Sequence, residues 1–300
     1  MLENGSKRGL ATLDSHGIQA GGVAGEDEPL RDLAATAHVV SVPCGHGHMV
    51  VRAWGDGPGL VMLHGGSGSW RHWARNIPIF AKTHRVVAPD LPGLGDSASP
   101  PAPYTPASIG AIVGTGVDAV LGAQSRYDLV GFSFGGLISS QLAVHHGDRV
   151  RSLTLVGAGA MGMPRHNVGL VKVRSLEGEE RRAAHRHNLE RLMFADPARI
   201  DEAALAIQEV STRGTRTKSP QFAATTALRD AVAVATARLH GIWGARDAIA
   251  TPSPEARREV LRAVRPEIDF RIIPDAGHWV MYEAADAFNA MLAEMLAASG

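Results

Sequence analysis

The chain has a single cysteine in 300 residues, Cys44, which excludes an intrachain disulfide framework. It carries no excess of charge, since 30 Lys and Arg are balanced by 30 Asp and Glu, and no basic cluster stands out. A nucleic acid or an anionic membrane surface needs such an excess to bind, so neither is an expected partner. No apolar run reaches membrane-spanning length, and Met1 to Asp32 lack the hydrophobic core of a signal peptide. These absences leave a cytoplasmic protein acting on a small molecule as the expectation; a homo-oligomer is compatible with them. A composition 45% hydrophobic and 20% charged is enough to build a large core as one domain with an insertion.

The most informative segment present is 127–136, Tyr-Asp-Leu-Val-Gly-Phe-Ser-Phe-Gly-Gly. Its apolar start reads as a buried strand that ends in a sharp turn with Ser133 at the tip, and the run Leu137, Ile138, Leu142, Ala143, Val144 reads as the helix that follows. This is the nucleophile-elbow pattern G-x-S-x-G. A turn that tight strains the serine backbone and leaves no room for Cβ atoms two residues either side, where Gly131 and Gly135 stand. The helix starting near Phe134 aims free N–H groups and a positive dipole end at the serine.

A serine hydroxyl is a poor nucleophile until a base takes its proton, so a histidine and an orienting acid are required downstream, in the order Ser, Asp or Glu, His. Leu239 to Gly244 is a short apolar strand that places Asp247 in the loop beyond its carboxyl end; Phe270 to Ile273 is another, and it leads to His278. Asp275 lies near His278 but before a glycine turn, and is expected to support that loop. Asp90, in Asp90-Leu-Pro-Gly-Leu-Gly-Asp96-Ser97, is expected to be loop architecture. Ser133, Asp247 and His278 are therefore the catalytic candidates.

A developing oxyanion needs two backbone donors, one from the residue after the nucleophile and one from an earlier glycine-rich loop. Phe134 and Gly66 are the candidates, the latter from Leu60-Val-Met-Leu-His-Gly-Gly-Ser-Gly68, with His64 expected to brace the loop. Trp70, Phe132 and Trp279 are candidate substrate walls. Neither a metal nor a cofactor is expected. His185 and His187 are two apart on a helical stretch and face different ways. Gly157-Ala-Gly-Ala-Met-Gly162 has dinucleotide-loop spacing, but it follows a mid-chain strand and meets Pro164 within two residues, so a passage out of the sheet accounts for it better.

Residues 1–34 lack periodicity and are expected to be a flexible tail. His38 to Trp54 reads as a hairpin turning at Cys44-Gly-His-Gly47, and strands then alternate with helices at 60–63, 85–88, 127–130, 151–156, 239–243 and 268–273. The pattern predicts an α/β fold: a mostly parallel eight-stranded sheet with helices on both faces. Its core is expected to comprise 35–162 and 228–300. Between them 163–227 reads as an inserted helical cap, with Gly178-Glu-Glu-Arg-Arg182 as a solvated face.

Five ordered features, His64-Gly-Gly66, Asp90 to Ser97, Gly131 to Gly136, Trp243-Gly-Ala-Arg-Asp247 and Gly277-His278-Trp279, resemble the α/β-hydrolase superfamily. The resemblance implies a cap that covers the active site, and acyl transfer to water through Ser133, His278 and Asp247. A serine at the elbow sets the chain apart from the haloalkane dehalogenases and epoxide hydrolases of this fold, which use aspartate there. Gly277-His-Trp279, Glu283 to Asn289 and Met193-Phe-Ala-Asp-Pro197 resemble the carbon-carbon hydrolases of meta-cleavage products. Against that, Phe132 and Phe134 replace the usual Asn and Met of their elbow, and Gln208 falls near the place of their cap arginine, with Arg213 close by. A carboxylic-ester hydrolase is the leading expectation, a meta-cleavage product hydrolase the second, and a ligand receptor on a hydrolase fold the alternative of another class.

Overall fold

The computed structural model describes residues 30–164 and 167–298. Its sheet contains β1 (His38–Cys44), β2 (Gly47–Trp54), β3 (Gly59–Leu63), β4 (Arg85–Pro89), β5 (Tyr127–Phe132), β6 (Val150–Val156), β7 (Arg238–Gly244) and β8 (Asp269–Ile273), in the order β1-β2-β4-β3-β5-β6-β7-β8. The β1–β2 and β2–β4 pairs are antiparallel and the rest are parallel, as the alternating pattern predicts. The hairpin closes at Cys44 opposite Gly47.

Strand residues alternate between two apolar layers. Val61, Leu63 and Leu129 join one cluster with Ile109, Val113 and Leu137, while Leu60, Met62 and Val130 join the other with Phe288, Leu292 and Met295. The period of two sends neighbours to opposite faces, so β3 and β5, buried at every position, are apolar almost throughout, with Asp128 of β5 paired to Ser152 and Arg151. Burying each large aliphatic side chain contributes about 1.5–3 kcal/mol. The helices that supply these layers include α1 (Arg31–Ala35), α2 (Ile77–Phe80), α3 (Pro106–Leu121) and α4 (Phe134–His146).

Between β6 and β7 the chain leaves the sheet. It runs without regular structure through 167–177, then forms α5 (Gly178–Asn188), α6 (Glu202–Arg213) and α7 (Ala227–Val234). Within 163–227 the described helices thus begin at residue 178. α7 already belongs to the core layer: Leu228 and Val232 join the first cluster, and the Gln141 side chain of α4 donates to the Ala227 carbonyl. The remaining helices are α8 (Pro254–Val264), α9 (Val280–Glu283) and α10 (Ala285–Ala297). None of the described helices is long and apolar enough to cross a membrane.

Most of the expected tail lies outside the described residues. Its last part departs from expectation, because α1 packs on the body: Leu33 and Ala34 touch the second cluster, and Trp54 Nε1 donates to the Leu33 carbonyl at 2.8 Å. From β3 the chain crosses first to β4 on one side and later to β5 on the other. A crevice at the carboxyl ends of β3 and β5 follows from that reversal, and ligands of such sheets bind there.

Candidate active site

Ser133 stands where β5 gives way to α4, with φ 52° and ψ −113°. That left-handed φ is strained for a residue with a Cβ. Two bonds hold the bend, from Ser133 N to the Val156 carbonyl at 2.8 Å and from Gly136 N to the Ser133 carbonyl at 3.0 Å. Both flanking glycines are required: a Cβ on Gly131 would lie 2.2 Å from Ser139 Oγ, and one on Gly135 would lie 2.3 Å from the Leu63 carbonyl oxygen.

His278 follows β8 and Asp247 follows β7, and the two strands are neighbours in the sheet. The imidazole Nδ1 lies 2.9 Å from Asp247 Oδ2 and Nε2 lies 3.1 Å from Ser133 Oγ. Since a carboxylate only accepts, the ring proton sits on Nδ1, and Nε2 is left to accept from the serine hydroxyl. Asp247 Oδ1 accepts from Ile249 N at 3.0 Å, which fixes the carboxylate. Both partners are buried. The three catalytic candidates therefore stand in one hydrogen-bonded row at the carboxyl end of the sheet.

Two residues that support this row were not read from the sequence as part of the site. Gly157, at φ 53°, ends β6 beside the His–Asp pair, where a Cβ would approach His278 Nδ1 to 3.1 Å and Asp247 Oδ2 to 3.2 Å. The glycine-rich run that mimics a dinucleotide loop makes room for the pair. Glu283 is the second. Its carboxylate accepts from Gly277 N at 2.6 Å, Ala195 N at 2.9 Å and Asp196 N at 2.8 Å, joining the histidine loop to the inserted segment. The expectation that Asp275 supports this loop is corrected: Asp275 is exposed, and Glu283 does that work.

His64 braces its loop as expected, with Nε2 accepting from Leu91 N at 2.9 Å. Asp90 is architectural: its carboxylate accepts from Trp70 N, Asp96 N and Arg52. His72, fully buried, accepts from Gly65 N through Nδ1, and burial pushes its pKa well below the ordinary 6.5. Gly66 and Phe134 are adjacent, since a Cβ on Gly66 would lie 3.7 Å from Phe134 Cβ.

Ser133, His278, Gly66, Phe132 and Phe134 line a cavity of about 750 Å³. Of the three candidate walls only Phe132 borders it. Trp70 packs on Trp54 at 5.3 Å, with Arg71 over its ring, and Trp279 stacks on Tyr282 at 4.1 Å while its Nε1 donates to the His72 carbonyl. The expectation that Trp70 and Trp279 wall the substrate is corrected: their loops turn both rings toward the core, where they are buried. The inserted segment supplies the opposite wall, including Leu170, Val171, Gln208 and Arg213. Arg181 also borders the cavity, so 178–182 is only partly a solvated face.

A model of the alpha/beta hydrolase family matches residues 60–291. The dihydrolipoyllysine-residue acetyltransferase component of an acetoin cleaving system from Pseudomonas putida is 30% identical over 253 residues, 80% of this chain. The chain spans 64% of that relative's length. The 2-hydroxy-6-oxo-6-phenylhexa-2,4-dienoate hydrolase of Burkholderia cepacia is 28% identical over 260 residues, 81% of this chain and 89% of that protein. Among solved structures, an esterase from Rhodococcus sp. ECU1013 superimposes with a TM-score of 0.71 at 21% identity, covering 87% of this chain and 99% of that one. With the sheet order, the elbow and the hydrogen-bonded row, these matches identify the chain as an enzyme that belongs to the alpha/beta hydrolase family.

Proposed function

We propose that this enzyme is a serine hydrolase that cleaves carboxylic esters through an acyl-enzyme. The observation that carries the reading is the row from Ser133 Oγ through His278 to Asp247, with contacts of 3.1 and 2.9 Å. In the first half-reaction Ser133 Oγ attacks the ester carbonyl carbon as His278 Nε2 takes its proton, and Asp247 stabilises the imidazolium. The backbone N–H groups of Gly66 and Phe134 hold the oxyanion. His278 then protonates the departing alcohol. In the second half-reaction it deprotonates a water that attacks the acyl carbon, and the proton returns to Ser133. The segment 163–227 acts as a cap over the cavity, where its side chains shape the acyl and alcohol pockets.

Turnover of short p-nitrophenyl esters tests this. The wild type is expected to hydrolyse them, and Ser133→Ala to lose about 10³-fold or more in kcat. Equal rates for the two proteins across acyl lengths would sink the esterase reading, and a binding protein on a hydrolase fold would show the same equality. Carbon-carbon hydrolysis is the second reading. It is favoured by the relative from Burkholderia cepacia and by Arg213 at the cavity wall, while Gln208 beside it still counts against it. Loss of the absorbance of a 2-hydroxy-6-oxo-dienoate, with p-nitrophenyl esters untouched, would select it.

A further inference from the structure

Among the described residues, five cationic side chains line the cavity, Lys172, Arg174, Arg181, Arg213 and Arg257, against one carboxylate, that of Asp247. Four of the five are accounted for. Lys172 and Arg174 are exposed, where water screens their charge. Arg181 and Arg213 both bind Glu209, at 2.9 and 2.7 Å. Arg257 differs. The buried face of α8 consists of Pro254, Arg257 and Leu261, so a guanidinium stands where an amphipathic helix would otherwise present an apolar side chain.

Arg257 is 4% exposed and donates through Nη2 to the Ile249 carbonyl at 3.0 Å and the Pro164 carbonyl at 3.4 Å. Among the described residues it forms no ion pair. Asp247 attracts it through space, but both oxygens of that carboxylate are committed, Oδ2 to His278 and Oδ1 to Ile249 N. A buried cation without a paired counter-ion is costly, and burial pulls the Arg257 pKa down. Arg257 borders the cavity, from which a bound molecule can bring a counter-charge.

We propose that Arg257 forms a carboxylate subsite: the ester cleaved here carries a carboxylate of its own, which seats against Arg257 at the Asp247 end of the cavity. The subsite is built on the core helix α8 and is separate from the cations of the inserted segment. It rests on the ester-hydrolase reading above. The competing role for Arg257 is a brace for the Asp247 loop through Ile249, and a brace would affect charged and neutral esters alike.

The test compares mono-p-nitrophenyl glutarate with p-nitrophenyl pentanoate, in which a methyl replaces the carboxylate. The wild-type ratio of kcat/KM, glutarate over pentanoate, is expected to be about tenfold or more. Arg257→Gln, which keeps a donor for the Ile249 carbonyl, should collapse that ratio, and Arg257→Lys should retain part of it. A wild-type ratio of one or less overturns the subsite, as does a parallel fall on both esters in Arg257→Gln. Should Arg257→Gln fail to fold, inhibition of wild-type pentanoate turnover by free glutarate, with glutaramide as the uncharged control, decides: inhibition by glutarate alone supports the subsite, equal or no inhibition overturns it. If no ester is turned over, the esterase reading fails, and calorimetry of glutarate against glutaramide on the wild type decides the subsite by the same two outcomes.

Discussion

Asp247 controls which nitrogen of His278 carries the proton. Its carboxylate can only accept, so Nδ1 donates and Nε2 stays free for the Ser133 proton. An asparagine can donate to Nδ1 instead, which moves the proton to Nε2 and turns the base away from its task. Asp247→Asn should therefore lower kcat by about 10⁴ at neutral pH with little change in KM, measured on a p-nitrophenyl ester. A loss below tenfold would mean that the row is not the catalytic machinery. At this scale the hydrogen-bonded row was legible, because each of its members follows an apolar strand. Glu283 was not, since its value comes from joining the nearby Gly277 amide to the amides of Ala195 and Asp196, a distant segment that meets it only in the folded chain. The fates of Trp70 and Trp279 were equally hidden: a loop sequence does not say whether a ring turns toward the cavity or the core.

The elbow shows how an element can be specified locally. β5 and α4 meet in a bend whose tightness is set by contacts with the β3 loop, and Gly135 lies against the carbonyls of Leu63 and His64. A methyl there must displace the backbone at the end of β3. Gly135→Ala is expected to destabilise the protein by about 1–3 kcal/mol or more in urea unfolding, and to lose esterase activity as Ser133 is displaced. An active variant of wild-type stability would show that the bend tolerates a Cβ. The strands were legible for a related reason: short apolar runs bounded by turns have few other uses. The inserted segment was less so. Residues 167–177 lie over the cavity without regular structure, placed by side-chain bonds such as those of Asn188 to both backbone groups of Val171, which no local period announces.

For the whole molecule, burial of neutral imidazoles makes stability depend on pH. His64 and His72 are both fully buried, and burial lowers the pKa of each from 6.5, most strongly for His72. The unfolded chain then binds protons more readily than the folded one. The stabilising contribution is complete above the unfolded value of 6.5 and is lost as pH falls from there toward the depressed folded values. The melting temperature should drop between about pH 6.5 and 5, a range above most carboxylate titrations. His72→Gln keeps an acceptor for Gly65 N without the titration, so its slope should be shallower; equal slopes would discount His72.

Local order along the chain already contained the alternating layers, the strained serine and the acid and base that follow it, because turn geometry and strand period depend on neighbouring residues. It did not contain the cavity. Its walls come from segments far apart in sequence, and whether Arg257 meets a partner, whether Glu283 ties two loops, or whether Trp279 reaches a ligand is settled by long-range packing. Such contacts form only when the layers close on one another, since each buried polar group then needs a partner that its own segment does not provide.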